Sequence, residues 1–232
     1  EYFIDKDKKI FKAIFEKKNQ KILFFADEFF DGWTFEFESN VRFEKDFERL
    51  DENSLTGCVT FYNSTINDIK LIINNLHCED AVNIVKTSGT INTIEIINSN
   101  SDALDVDFSN LVINNIFISN ANNDCIDLSS SNITIRYSYV FDCKDKGVSV
   151  GEVANVNIED IVVKNTKTGV AVKDSSTVLA GKVEIQNTDV CVAVYRKKQE
   201  FGPASFLAET IECESKEYFT QDGSSITLNK SS

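Results

Sequence analysis

Two short segments of the chain carry five aspartates whose carboxyl groups could act together. The segment SDALDVD contains Asp102, Asp105 and Asp107, and the segment NDCIDL contains Asp124 and Asp127. Asp124 follows Asp102, and Asp127 follows Asp105, by the same 22 residues. Clustered carboxyl groups can serve as a general acid and base, or they can bind a divalent cation through their oxygens. Both kinds of chemistry require the fold to bring the two segments side by side.

The 22-residue offset belongs to a repeat that runs through most of the chain. Stepping by 22 from position 81 meets only small residues, and stepping from position 82 meets only apolar ones. The two columns are Ala81, Ala103, Cys125, Gly147, Gly169 and Cys191, and Val82, Leu104, Ile126, Val148, Val170 and Val192. Each repeat contains two runs of alternating apolar and polar residues, which is the pattern of short strands with one buried face. The repeat therefore predicts an all-β parallel β-helix with about 22 residues per rung.

Residues one repeat apart are predicted to lie on adjacent rungs, about 4.8 Å apart along one outward wall. The residues predicted on this wall, or at the turn before it, are Asp102, Asp105, Asp107, Asp124, Asp127, Lys146, Ser149, Lys173 and Tyr195. Like charges at this spacing repel by about 1 kcal/mol per pair even in water. We therefore expect a nearby lysine, a bound cation or a protonated carboxyl to offset the repulsion. The alternative is that the aspartates are solvated at strand ends, where they accept hydrogen bonds from backbone amides.

Residues 1–232 are predicted to form a single domain. The segment DKKIFKAIFEKK, which starts at Asp7, has a plausible helical period and predicts a short N-terminal helix within residues 1–30. Such a helix would cap the open end of the coil, since solenoids protect their terminal rungs. The rungs are expected to begin near Trp33 and to fill residues 31–232 as roughly nine or ten turns.

Composition excludes several kinds of partner. A net charge of −13 argues against nucleic acid and against an anionic membrane surface. No apolar run reaches the length of a membrane span, so no membrane insertion is expected. The single histidine leaves a His-based triad or metal cluster unsupported. Cys191 and Cys213 are one repeat apart and within disulfide reach, although stacked thiols would pack equally well.

The motifs NSDALDV, NNDCIDL, DKGVSVG and GVAVK resemble successive rungs of the pectate-lyase-like superfamily of right-handed parallel β-helices. They are also similar, more weakly, to polygalacturonase-type glycoside hydrolases. In that resemblance Asp102 and Asp124 occupy the positions of two of the family's three carboxylates, and Asn123 replaces the other. Lys173 keeps the family's lysine, whereas Lys146 stands in place of its histidine. Because Asn123 is not a carboxylate, one of the acid and base residues that glycoside hydrolysis uses is missing in this resemblance.

A longer resemblance covers about residues 55–202. The motifs CEDAVNIV, SDALDVDFS, NDCIDLSSS, DKGVSVGE and YRKKQEFGPA are similar to the β-helix module that accompanies CotH-like kinase domains in bacterial surface proteins. This resemblance implies a right-handed coil and an extracellular or cell-surface location. The resemblance does not imply any enzymatic reaction.

Three functions stay open at this point. The first is a non-catalytic module that binds an extended polymer, foremost a polysaccharide, through Asp105, Asp107, Asp127, Ser149, Glu152, Tyr195 and Arg196. The second is a lyase, epimerase or hydrolase acting on a uronate-type polymer, with Asp102, Asp124, Lys146 and Lys173 as catalytic residues. The third is a structural spacer that binds nothing. Ca²⁺ is the candidate cofactor, with Asp102, Asp105 and Asp127 as its predicted ligands.

Overall fold

A computed structural model describes residues 1–17, 20–25, 29–41, 49–221 and 223–229. Within these ranges the chain forms nineteen strands and no helix. The strands of the N-terminal part are β1 (Tyr2–Asp5), β2 (Ile10–Phe15), β3 (Ile22–Phe25), β4 (Phe29–Asp31) and β5 (Thr34–Ser39). Those of the central part are β6 (Gly57–Tyr62), β7 (Thr65–Leu76), β8 (Asp80–Val85), β9 (Ser88–Ser99), β10 (Asp102–Asp107), β11 (Asn110–Ala121), β12 (Ile126–Ser129), β13 (Asn132–Phe141) and β14 (Lys146–Gly151). The C-terminal ones are β15 (Asn155–Lys173), β16 (Thr177–Tyr195), β17 (Ser205–Cys213), β18 (Tyr218–Thr220) and β19 (Ser225–Leu228).

The strands stack in parallel into a right-handed coil of about nine turns, with about 22 residues per turn. One face of the coil, which we call the wall sheet, consists of β3, β6, β8, β10, β12, β14, the C-terminal halves of β15 and β16, and β18. The other faces stack β5, β7, β9, β11, β13, the N-terminal halves of β15 and β16, β17 and β19. The predicted fold class and rung length are therefore confirmed.

The repeat arises from a core that each rung extends by one layer. The apolar column contains Val59, Val82, Leu104, Ile126, Val148, Val170 and Val192, all of them fully buried. Branched side chains of this kind suit a pleated, buried surface. Because each rung leaves its top and bottom edges for the next rung to cover, the pattern repeats for as long as the coil continues.

One corner of the coil is turned by asparagine. The residues there with left-handed backbone are Asn75, Asn98, Asn120, Asp142, Asn165 and Asn187, with φ between 51° and 61°. Asparagine tolerates this conformation because its short polar side chain bonds locally. The Asn120 Nδ2 donates to Asn98 Oδ1 at 2.5 Å, and the Asn187 Nδ2 donates to Asn165 Oδ1 at 2.8 Å. The side chains thus form a ladder that ties successive corners together.

The predicted N-terminal helix is wrong over the described part of its segment. Ile10–Phe15 is the strand β2, which pairs in parallel with β5, and the side chains of Ala13 and Phe15 are buried at strand spacing. A short apolar run fits both periodicities, and here pairing with the next rung decides between them. Parallel stacking consequently begins near Ile10, before the expected boundary at residue 31. The antiparallel strand β1 pairs with the outer edge of β2.

Three disulfides tie successive turns together. They are Cys58–Cys78, Cys125–Cys143 and Cys191–Cys213, with sequence separations of 20, 18 and 22 residues. The alternative of stacked free thiols for Cys191 and Cys213 is thereby ruled out. Cys58, Cys125 and Cys191 lie on the same column, three rungs apart. No described part of the chain forms a helix suited to crossing a membrane.

Candidate functional site

The wall sheet presents two ladders of side chains to the outside. The first ladder is Thr60, Asn83, Asp105, Asp127, Ser149, Ala171, Ala193 and Phe219. The second is Tyr62, Val85, Asp107, Ser129, Gly151, Lys173 and Tyr195. The structure therefore brings together the outward residues that the repeat predicted to be neighbours.

A third column lies at the turn before the wall sheet and contains Asp102, Asp124 and Lys146. The backbone N–H of Asp124 donates to Asp102 Oδ1 at 2.8 Å, and that of Lys146 donates to Asp124 Oδ1 at 3.0 Å. The Asn123 Nδ2 also donates to Asp102 Oδ1, at 2.7 Å. Each carboxylate thus holds the turn of the rung after it, which is the structural role expected of aspartate at a strand end.

Lys146 is held by two carboxylates. Its Nζ lies 3.2 Å from Asp124 Oδ1 and also bonds to Asp145. Desolvation lowers the pKa of Lys146, but the neighbouring Asp124 and Asp145 outweigh it and raise the pKa above its usual value. A lysine held in its charged form is a poor general base, so this arrangement favours a structural role for Lys146 over the predicted catalytic one.

Lys146→Met is expected to lower the free energy of unfolding by about 2 kcal/mol at neutral pH. Asp124 is almost fully buried, and Lys146 supplies its ion pair within the described residues. Losing the lysine leaves a buried carboxylate uncompensated, which costs more than the pair itself contributes. Urea unfolding would measure the change, and Lys182→Met on an exposed part of β16 is the matched control. Equal effects of the two substitutions would contradict this account of Lys146.

Six aspartates lie on or beside the first ladder, on the rungs of β8, β10 and β12. We call them the acidic wall: Asp80, Asp102, Asp105, Asp107, Asp124 and Asp127. Burial raises the pKa of Asp80 to about 8, although a hydrogen bond with Thr56 opposes the shift. Burial and the charge of Asp124 raise the pKa of Asp102 to about 7. A protonated carboxyl is one of the ways in which the repulsion between the aspartates can be offset. The raised pKa values of Asp80 and Asp102 favour this protonated form.

Asp105 and Asp107 form the centre of the acidic wall. The Asn83 Nδ2 donates to Asp105 Oδ2 at 2.9 Å and lies 3.5 Å from Asp107 Oδ2. Desolvation, followed by the charges of Asp80 and Asp107, raises the pKa of Asp105 well above its usual value. Asp107, whose own pKa is raised by burial, also shares a hydrogen bond with Asp105. Two carboxyl groups that interact in this way favour a shared proton over two full charges, because the charges would repel.

Several polar groups of the wall have no hydrogen-bond partner among the described residues. They are Asp80 Oδ2, Asp127 Oδ1 and Ser149 Oγ. Ser149 is 0% exposed although it belongs to the outward ladder, so neighbouring side chains and turns cover it. Buried polar groups normally have partners, so these unpartnered atoms mark a place where a further hydrogen-bond donor can bind.

Lys173 lies two rungs beyond Asp127. Its side chain is 7% exposed and forms no ion pair or hydrogen bond with the described residues. Gly151 leaves room for it, since a Cβ at position 151 would lie 3.4 Å from Lys173 Cε. Lys173 therefore adds a cation to the second ladder beyond the aspartates.

The remaining predicted binding residues lie at the C-terminal end of the wall. Tyr195 follows Lys173 on the second ladder, and its ring centroid is 6.1 Å from that of Phe219. Glu152 forms an ion pair with Lys198, and Arg196 is exposed. The charge of Glu152 contributes to the raised pKa of Asp107, so this end of the wall adjoins the aspartates.

Calcium binding by Asp102, Asp105 and Asp127 stays a prediction. Among the described residues, no three or more His, Cys, Asp or Glu side chains are arranged to hold a metal ion. Asp102 Oδ1 accepts two hydrogen bonds, and Asp105 Oδ2 accepts one from Asn83. We derive no calcium-dependent step.

Sequence reasoning missed Asp80 and Asn83 as members of the site. Both lie one repeat before residues that it selected, Asp102 and Asp105, and stepping back by 22 finds them. It also missed Asp145, which shares Lys146 with Asp124. Asp145 belongs to a turn whose shape the repeat does not define.

Parallel strands stacked turn upon turn around one apolar core define a β-helix solenoid. Residues 50–201, more than half of the chain, match the family model described as a right handed beta helix region, and the chain belongs to that family. Comparison with the curated proteins and with the solved structures gave no match. The resemblances to CotH-associated modules and to polygalacturonase-type hydrolases stay predictions.

Proposed function

We propose that this β-helix is a non-catalytic module that binds an extended polysaccharide along the wall sheet. The observation that carries the proposal is the first ladder, in which Asp127 and Ser149 have buried polar atoms without partners among the described residues. Sugar hydroxyls are donors as well as acceptors, so they can satisfy such groups. The β-helix fold is also commonly associated with polysaccharides.

The length of the first ladder favours a long ligand over a compact one. The ladder runs along the coil from Asn83 to Ala193, five rungs further on. At about 4.8 Å per rung this distance is about 24 Å. A ligand that repeats along its own length can make similar contacts on successive rungs, as the protein itself repeats.

The disulfides support a location outside the reducing cytoplasm. All three join neighbouring turns, and no described cysteine is free. Disulfides persist in oxidising compartments such as the cell exterior. An extracellular or cell-surface module would meet polysaccharide there.

Replacing Asp105, Asp127 and Lys173 together by alanine is expected to weaken polysaccharide binding at least about 10-fold, because hydrogen bonds to charged groups contribute about 1.5–3 kcal/mol each. Affinity electrophoresis against a panel of neutral, acidic and amino polysaccharides would measure the loss. Asp189→Ala on an exposed part of β16 is the control. Binding that survives the triple substitution would contradict the proposal.

A further inference from the structure

We infer that the acidic wall recognises ammonium groups, so that the bound polysaccharide carries free amino sugars. This inference rests on the proposed function and names its substrate class. It starts from a charge imbalance: Asp80, Asp102, Asp105, Asp107 and Asp127 form no ion pair with any basic side chain of the described residues. The cations of the wall begin only one rung later, at Lys146.

The unpartnered atoms of the wall require donors. Asp80 Oδ2 and Asp127 Oδ1 are carboxyl oxygens without a partner, and Asp80 is only 3% exposed. Ser149 Oγ, which is fully buried, completes the set on the next rung of the first ladder. An ammonium group has three donors and no acceptor, which is the complement of this arrangement.

An ammonium group fits the acidic wall better than the competing ligands. A uronate would bring a further negative charge to a site that lacks positive partners. A neutral hydroxyl would satisfy an acceptor without offsetting the repulsion between the carboxylates. No three of the described His, Cys, Asp and Glu side chains are arranged to hold a metal ion, whereas a divalent cation is bound by several oxygens at once.

Proton release would accompany this binding. The titratable groups that face Asp105 and its neighbours are Glu79, Asp80, Asp102, Asp107, Asp124, Asp127, Asp145, Lys146 and Glu152. Below neutral pH, Asp80 and Asp102 are largely protonated, because their pKa values are about 8 and about 7. An arriving ammonium group favours the ionised carboxylate and so expels a proton, up to about one for each group bound.

The test compares two oligosaccharides with the same backbone, a glucosamine oligomer and its fully N-acetylated counterpart. Titration calorimetry of the full chain at about pH 6, in two buffers of different ionisation enthalpy, gives both the affinity and the protons released. We expect the glucosamine oligomer to bind at least about 10-fold more tightly, which corresponds to about 1.4 kcal/mol, and to release protons. Asp105→Asn with Asp127→Asn should reduce its affinity to that of the acetylated oligomer, whereas Asp189→Asn should not.

The outcomes separate the inference from the proposed function. Equal affinity for the two oligomers, or tight binding of a polyuronate instead, overturns the amino-sugar inference and leaves polysaccharide binding in place. Calcium that binds at Asp105 and Asp127 and displaces the oligomer also overturns it. Failure of every polysaccharide on the panel to bind overturns the proposed function together with the inference.

Discussion

Raising the pH from about 5 to about 8 is expected to lower the free energy of unfolding by on the order of 5 kcal/mol. The cause is the burial of carboxyl groups in the acidic wall, which raises the pKa of Asp80 to about 8 and that of Asp102 to about 7. In the unfolded chain both groups return to an ordinary pKa of about 3.9. At pH values between the unfolded and the folded pKa, these two carboxyls are protonated in the folded state and ionised in the unfolded state.

The sign follows from that difference in bound protons. Stability falls with rising pH wherever the folded state binds more protons than the unfolded state. The contribution of Asp80 and Asp102 is fully present below about pH 4 and is lost as the pH passes through about 7 and about 8. Carboxylates that are paired in the folded state have lowered pKa values and add stability as the pH rises from about 1 to about 5. The slope expected here has the opposite sign and lies at higher pH.

Denaturant unfolding at a series of pH values would measure this slope. Asp80→Asn should flatten it and should raise stability at about pH 8, because the amide needs no proton to remain neutral. Asp189→Asn should leave the slope unchanged, since Asp189 is exposed. Stability that rises steadily from about pH 5 to about pH 8 would show that the acidic wall is not protonated in the folded state.

Gly89→Ala is expected to destabilise the protein by at least about 3 kcal/mol. Gly89 has a φ of 126°, and a Cβ built on it would lie 1.8 Å from the carbonyl oxygen of Ile66. Ile66 pairs with Gly89 beside an irregularity in β7, where the register shifts between Ile66 and Ile69. The backbones therefore approach so closely that no side chain fits without moving one of the two strands.

Gly151→Ala is the matched control for this substitution. Gly151 does not have positive φ, and a Cβ there would lie 3.4 Å from the end of the Lys173 side chain and 3.9 Å from Ser129 Oγ, both ordinary contact distances. Its effect on unfolding should stay below about 1 kcal/mol. Unfolding midpoints in guanidinium would compare the two variants, and a Gly89→Ala protein as stable as the wild type would refute the close approach.

The repeat could be predicted from sequence because the core repeats. Val82, Leu104 and Ile126 occupy equivalent positions on successive rungs, and each must cover the one below. The N-terminal strand β2 could not be identified in the same way, because its segment lies outside the 22-residue pattern. There, only pairing with β5 distinguishes a strand from a helix.

For the site, sequence predicted which residues are neighbours but not how deeply they are buried. The alignment of Asp105, Asp127 and Ser149 follows from spacing alone. The complete burial of Ser149 does not, because it depends on the side chains and turns on either side of the ladder. The protonation of Asp80 follows from burial too, and hence could not be predicted from the repeat.

The cross-links between neighbouring turns affect how the molecule opens. A solenoid has contacts only between adjacent turns, so its ends can detach one turn at a time. A turn that is bonded covalently to the next gains less conformational entropy by detaching. Since Cys58, Cys125 and Cys191 lie three rungs apart, local fluctuations that start at one end meet this added cost at regular intervals. Local unfolding of the terminal turns is thereby kept from spreading to the middle of the molecule.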